Sequence, residues 1–490
     1  MPEGAATRRC RLMLGLMVLL ALLLRLWRVG ARPLTSDELW NLHVIGRGWG
    51  DMLRLAATDT FPPLSYAVLK LWTGLAGTSD AALRLPAVAA GVAAVPVMFL
   101  LGATLVSRGV GWLAAGLFAL SGFWLVQAQD ARLYSLTTLC CLVSWWAYAR
   151  WRWEGRRPID LGVWWVATAL GVYSHYLVWP LWLGQNLSLW PERRRLPRGW
   201  WYAQAGLAAA YVPWLLLLAH PASRAAGYFA DRPASSLLFA LRKMVAALFA
   251  FDFGLGSRAV PAHLLAGLVV LALLAAMLVR ERGAAVPPRL RACLWAVLPV
   301  VLAVLAGGVA RQVPFERYLA APAGGLAVIM LAGALGALRS RRARGALMAA
   351  TLGLNLVSAL VVSRVSAWDV DFRPAFALLA SRVEPGDGLM LDPPSAVLQV
   401  ERHLSAESAA MLSRPSPETF GHEDQYRRFA EGLLARGGRI WLLSAPCLEA
   451  TKSWLGLDER LRAEFTLVEH HQAGEVSLDL FRTPADSRAQ

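Results

Sequence analysis

Residues 34 to 43, Leu-Thr-Ser-Asp-Glu-Leu-Trp-Asn-Leu-His, set two adjacent carboxylates, Asp37 and Glu38, just beyond the first apolar stretch of membrane length. A carboxylate so placed can take the proton of an attacking hydroxyl, the work of a general base. The same acids also suit the first turn of a helix. Thr35 or Ser36 can cap it, negative charge favours its N-terminus, and Leu39, Leu42, Ile45, Trp49 and Leu53 follow at helical spacing. Such a helix is amphipathic and suits the membrane interface.

Other ionisable groups recur beside apolar runs. In Asp59-Thr-Phe-Pro-Pro-Leu-Ser-Tyr66 the acid reads as a turn residue before a proline helix start. In Gln127-Ala-Gln-Asp-Ala-Arg-Leu-Tyr134, the groups Asp130, Arg132 and Tyr134 sit where one apolar run ends and the next begins. Arg132 either pairs with Asp130 across a tight turn or offers its planar fork to an anionic head group. Tyr173-Ser-His-Tyr176 puts His175 and Tyr176 at another such end, where a histidine serves as a hydrogen-bonded helix end or as a binding group. Phe315-Glu-Arg-Tyr318 brings Glu316, Arg317 and Tyr318 together, as an ion pair or as a second cationic site. Ionisable groups at membrane depth favour the functional reading.

The elements that must position these groups are membrane helices. In 490 residues, 57% are hydrophobic, 17% are charged, 22 are Trp and the mean hydropathy is +0.45, which together describe a polytopic membrane protein. A net charge of +16 could suggest nucleic acid, but Lys and Arg gather in short loops as membrane insertion demands. The five cysteines show neither metal spacing nor a disulfide framework. Arg8, Arg9 and Arg11 before an apolar run resemble a signal peptide, and here mark an uncleaved first span.

Apolar runs of membrane length predict spans near 11 to 29, 84 to 106, 110 to 127, 133 to 149, 160 to 175, 176 to 190, 200 to 219, 261 to 279, 291 to 309, 318 to 337 and 345 to 363. The runs 63 to 76, with Lys70 inside, and 235 to 253, with Arg242, Lys243 and Asp252, read as helices lying at the interface. Leaving those two out places the arginine groups at 8 to 11, 108, 150 to 157, 193 to 198, 280 to 291 and 339 to 344 on one side, the cytoplasm. The expected fold is therefore a polytopic α-helical membrane protein of about eleven spans, N-terminus inside. Asp37, Asp59, Asp130, Arg132, His175, Glu316 and Arg317 then share the outer face.

After residue 363 the composition turns soluble, with Gly-Asp and Pro-Pro turns. Strands are expected at 388 to 392, 439 to 444, 464 to 470 and 476 to 482, the last two as a hairpin, and helices at 373 to 382 and 424 to 436. The division is a membrane domain over 1 to 363, including a first outer loop of 30 to 83, and a small extracytoplasmic α/β domain over 364 to 490.

The order Asp37-Glu38, Asp59-x-x-Pro-Pro-Leu-x-Tyr66, Gln129-Asp-Ala-Arg-x-Tyr134, Tyr173-x-His-Tyr176 and Arg317-Tyr318 resembles the GT-C superfamily of polyprenyl-phosphate-sugar-dependent glycosyltransferases. Within it the chain is most similar to bacterial relatives of the protein O-mannosyltransferases and the lipid A aminoarabinose transferases. The resemblance covers about residues 10 to 363. Asp130 stands where many relatives have Glu, and Phe61 where many have His before the prolines.

The resemblance implies an inverting transfer in which an acceptor hydroxyl attacks the anomeric carbon of a lipid-phosphate sugar. Asp37 is then the general base and Glu38 positions it or the acceptor, while Arg132 and Arg317 hold the phosphate. Tyr134, Tyr318 and His175 lend hydrogen bonds, and Tyr66, Asp130, Tyr176 and Glu316 complete the substrate-binding set. Asp59 is the candidate for a sugar contact or a divalent metal. The implied partners are a polyprenyl-phosphate sugar donor, a lipid, glycan or protein acceptor and the lipids of the inner (plasma) membrane, with no nucleic acid. A transporter or flippase for lipid-linked sugars would also pair arginines with a lipid phosphate, but calls for access from both faces, and the sequence shows no inverted repeat.

Overall fold

The computed structural model describes residues 3–59, 61–219, 289, most of 325–338, 340–362, 370–417, 423–445 and 457–484. The spans expected at 261–279 and 291–309 and the interfacial helix at 235–253 lie outside the described residues, as does part of 318–337. The chain forms two compact units, Met1–Val29 with Val44–Val365, and Gly30–His43 with Ser366–Gln490.

In the first unit, α1 is Glu3–Leu26, and α2, Ser36–Ile45, enters it with its last residues. The short helices α3 (Trp49–Ala56) and α4 (Leu64–Ala76) lead to α5 (Asp80–Leu105), α6 (Arg108–Leu120) and α7 (Gly122–Ala128). Then come α8 (Tyr134–Trp153), α9 (Pro158–Ser174), α10 (Val178–Ser188), α11 (Arg198–Leu218) and, after the undescribed stretch, α12 (Arg341–Val362). Among the described residues α5, α11 and α12 are long and apolar enough to cross a bilayer, and the bent pair α6 and α7 adds a fourth candidate. The segment expected to span over 176–190 is instead the 11-residue α10 followed by a 3-10 turn, Trp190–Arg195. Short as it is, it returns the chain from His175 to the opposite end of the α8 and α9 hairpin, where Glu192 meets Arg152 and Arg156.

The helices of this unit pack through small residues. A Cβ on Gly102 would meet Gly111 Cα at 2.8 Å, so α5 and α6 cross with backbones nearly touching. The run expected as one span over 110–127 breaks at Ser121, and α6 and α7 meet at 62°. The break exposes carbonyls that the helix no longer uses, and Arg25 of α1, fully buried, supplies donors to Phe118 O at 3.2 Å and Ala119 O at 3.1 Å. Gln129 in turn gives its amide to the Arg25 and Trp27 carbonyls, both at 2.9 Å, closing the C-terminal end of α1. Lys70, the charge inside the apolar run 63 to 76, donates to Ile45 O at 2.7 Å and Arg47 O at 2.6 Å and so caps α2, where a cation suits the helix dipole.

α8 and α9 form an antiparallel hairpin, which sorts their charges by end. Arg150 pairs with Asp160 at 3.0 Å, and Arg152 and Arg156 pair with Glu192 at 2.7 and 3.2 Å. Tyr134 starts α8 and Ser174 ends α9 at the opposite end, about 30 Å away by helix rise.

The second unit holds α13 (Arg373–Ala380), β1 (Gly388–Asp392), α14 (Val397–His403), α15 (Ala406–Met411), α16 (Glu423–Arg436), β2 (Arg439–Ser444), α17 (Leu457–Glu464), β3 (Thr466–Ala473) and β4 (Val476–Arg482). Its sheet has the order β1-β2-β4-β3, with β1 and β2 parallel and the remaining pairs antiparallel. Strands β1, β2 and β4 form over the residues expected of them. β3 begins two residues later than expected and runs to Ala473, because the turn at Gly474, with φ of 67°, sets where the hairpin closes. Under the sheet, buried Asp387 accepts from Trp441 Nε1 at 2.9 Å and pairs with Arg439 at 2.9 Å.

Candidate active site

At the Tyr134 end of the hairpin, three separate pieces of chain converge. The first is the turn after α3, where Asp59 N donates to Ala56 O at 3.2 Å and the acid projects ahead of Phe61-Pro62-Pro63. The prolines start α4, whose buried Tyr66 donates its hydroxyl to Asp59 Oδ2 in a short hydrogen bond. The second piece is the turn before α8. Asp130 Oδ1 accepts from Arg132 N at 2.8 Å, and Leu133 adopts φ of 55°, a left-handed conformation costly for a bulky residue. That turn fixes where Arg132 points. Asp130 therefore does local work in the turn, where its carboxylate meets the Arg132 backbone.

Arg132 is 7% exposed, with its guanidinium carbon 4.9 Å above the Phe61 ring and Nη1 3.9 Å from Asp59 Oδ2. At that separation the charges attract without a directed hydrogen bond, while the ring face offers the cation a desolvated contact of about 1 to 2 kcal/mol. The third piece is the turn between α9 and α10, outside both helices. His175, 4% exposed, accepts the Leu177 N–H on Nδ1 at 3.1 Å, which leaves the proton on Nε2. Burial, with the Arg132 charge beside it, pushes its imidazole down to about 3, so the ring is neutral. Phe61 lies edge-on to His175 at 5.1 Å and to Tyr134 at 5.6 Å. Next in the turn, Tyr176 has its hydroxyl pushed up by burial, with the Asp59 charge adding to it.

Of the residues singled out in the sequence, the fold thus gathers Asp59, Tyr66, Arg132, Tyr134, His175 and Tyr176, with Asp130 shaping their turn. Glu316, Arg317 and Tyr318 lie outside the described residues. Asp37 and Glu38 belong to the second compact unit. There Thr35 N donates to Glu38 Oε2 at 3.0 Å and Glu38 N to Thr35 Oγ1 at 3.2 Å, a reciprocal capping box that opens α2. Glu38 is buried and Asp37, one residue earlier, is half-buried in the same first turn. Among the described residues no three His, Cys, Asp or Glu side chains group as metal ligands.

The fold has solved counterparts. ArnT from Cupriavidus metallidurans bound to undecaprenyl phosphate superposes with a TM-score of 0.59 over 95% of this chain and 97% of its own, at 13% identity. Its apo state gives 0.60 over 97% and 98%, at 14% identity. The apo oligosaccharyltransferase of Archaeoglobus fulgidus gives 0.52 over 88% of this chain and 69% of its own, at 12% identity. The chain has the GT-C fold of membrane glycosyltransferases. No protein-family profile and no curated protein matches the sequence.

Within this GT-C fold, Phe61 is the residue that sequence reasoning passed over. It appears there only as a departure before the two prolines, yet it touches Arg132, Tyr134 and His175 together. Arg25 was also passed over; its one sequence signal is a charge near the end of an apolar run.

Proposed function

We propose that the protein is a glycosyltransferase of the extracytoplasmic membrane face, moving a sugar from a polyprenyl-phosphate donor to an acceptor hydroxyl with inversion. The observation that carries this reading is the buried Arg132 guanidinium, set over Phe61 at the hairpin end remote from the basic clusters, in a fold shared with ArnT bound to undecaprenyl phosphate. A planar cation at a membrane edge suits a lipid phosphate. The basic clusters at the other end mark the cytoplasm by the positive-inside rule, which supports about eleven spans, an N-terminus inside and the unit after residue 363 outside.

In this reading the Asp37 carboxylate takes the hydroxyl proton as the acceptor oxygen bonds to the anomeric carbon. The bond from that carbon to the phosphate oxygen breaks on the opposite face, and polyprenyl phosphate leaves with the electron pair. Arg132, with Arg317, stabilises the charge gathering on the leaving phosphate. Neutral His175 contributes a hydrogen bond through Nε2–H rather than a second positive charge, and Tyr134 and Tyr176 add hydroxyl donors. Asp59, oriented by Tyr66, meets the sugar. Glu38 secures the helix start that carries Asp37. The acceptor is a lipid, glycan or protein hydroxyl.

The test is transfer by purified protein from a polyprenyl-phosphate sugar, wild type against Asp37→Asn. The expected loss is at least about a hundredfold in kcat. Undiminished transfer by the variant removes Asp37 as the base. Absence of transfer with any donor, alongside movement of lipid-linked sugar across vesicles, would make the chain a translocator.

A further inference from the structure

The segment that carries Asp37 is held by the C-terminal unit, through contacts that no local sequence pattern records. Gln399 on α14 is 2% exposed and donates Nε2–H to the Leu34 carbonyl at 3.0 Å, across 365 residues of chain. A carbonyl only accepts, so the amide is oriented with nitrogen toward Leu34 and Oε1 toward His403 Nε2, 3.1 Å away. His403 must then be the donor in that contact. Its ring stacks on Phe376 of α13 at 6.0 Å, and α13 packs on β3 and β4. Both ends of a buried amide are thereby satisfied, as burial requires.

Leu34 immediately precedes the cap residue Thr35. The first turn of α2 uses the Thr35 carbonyl, which accepts from Leu39 N at 2.9 Å, so the Leu34 carbonyl serves as a handle outside the helix. Capturing it fixes the direction in which the chain enters the capping box, and the box fixes Asp37 two residues on. A run of contacts thus leads from the sheet through α13, His403 and Gln399 to the first turn of α2.

We infer that the C-terminal α/β unit positions the Asp37 segment for the chemical step, with Gln399 as the positioning residue and His403 orienting its amide. This rests on the reading of Asp37 as the general base. The proposed phosphate contact, Arg132, takes no part in this run of contacts, so loosening the Asp37 segment lowers kcat and spares the donor KM.

The experiment compares Gln399→Met, similar in length but without the donor, with His403→Leu and His403→Gln. Each is assayed for kcat and donor KM with a polyprenyl-phosphate sugar, and for hydrogen exchange at the amides of Thr35 and Glu38. Gln399→Met and His403→Leu are expected to lose about tenfold in kcat, with donor KM within about twofold, and to exchange faster at those amides. His403→Gln, which can still donate to Oε1, is expected to recover most of the rate. Should Gln399→Met fail to fold, the two His403 variants decide, since a shared loss in both would mark a packing role and overturn the inference. Wild-type kcat and exchange in Gln399→Met would also overturn it. Asp37→Asn is measured alongside: an inactive Asp37→Asn with an unaffected Gln399→Met sinks the positioning claim alone, whereas an active Asp37→Asn sinks the base assignment beneath it.

Discussion

Replacing Phe61 with leucine separates the ring's electrostatic contribution from its bulk. Phe61 is 3% exposed, and its ring meets the Arg132 guanidinium at 4.9 Å, His175 at 5.1 Å and Tyr134 at 5.6 Å. Leucine keeps an apolar side chain at the site, so the large cavity cost of an alanine is avoided. What disappears is the cation–π contact, about 2 kcal/mol when desolvated, and the preference of the two edge-on rings, about 0.5 to 1.5 kcal/mol each. The part that acts through Arg132 is about 1 to 2 kcal/mol, since leucine recovers some dispersion. If Arg132 grips the donor phosphate, kcat/KM for the donor falls about 5- to 30-fold. Phe61→Tyr, which keeps the ring face, stays near wild type. The assay is initial-rate transfer over a series of donor concentrations, repeated for Arg132→Ala and for the double variant. The double variant is expected to be no worse than Arg132→Ala alone, a coupling equal to the Phe61→Leu effect. A Phe61→Leu enzyme within twofold of wild type, or additive losses in the cycle, would refute the claim that the ring acts through Arg132.

How far the sequence reaches is set by the range of the interactions. Strands β1, β2 and β4 were legible because a short β-rich apolar run between turn residues is a local pattern, and Ile440, Trp441, Leu442 and Leu443 are buried as such a run requires. The groups around Arg132 were legible one by one, as ionisable residues at the ends of apolar runs. That Asp59, Arg132 and His175 meet is a product of the α8 and α9 hairpin and of the turn beyond α3. Phe61 was not legible as a partner, since an aromatic beside prolines is chemically unmarked until packing brings a cation over its face. The break at Ser121 was hidden inside a continuous apolar run, and only the carbonyls caught by Arg25 reveal its structural consequence. Likewise, residues 30–43 cluster with 366–490, where the Gln399 amide bonds the Leu34 carbonyl, a pairing chain order does not carry.

Two further outcomes follow from the buried cations and imidazole. His175 is held near 3 in the fold against an ordinary value of 6.5, so the unfolded chain binds its proton first as pH drops. Its contribution to stability is complete above about pH 6.5 and is lost as pH falls toward 3, at up to about 1.4 kcal/mol per pH unit. Thermal unfolding in detergent at pH 7.5 and pH 5 should therefore diverge less for His175→Gln than for wild type, and an equal divergence would count against a neutral His175. For Arg25→Met two effects oppose each other: removing a buried guanidinium relieves its desolvation, while the Phe118 and Ala119 carbonyls lose donors at 3.2 and 3.1 Å. The second effect prevails, because the 62° break between α6 and α7 leaves those carbonyls without their helical partners in an apolar surrounding, at about 1 to 3 kcal/mol each. The variant should be less stable than wild type by a net of about 2 to 4 kcal/mol and unfold at a lower temperature, with Arg25→Lys between them because its ammonium carries one donor point in place of a fork. An Arg25→Met protein as stable as wild type would mean that the break at Ser121 is held by the packing of α7 on α12 and not by the arginine.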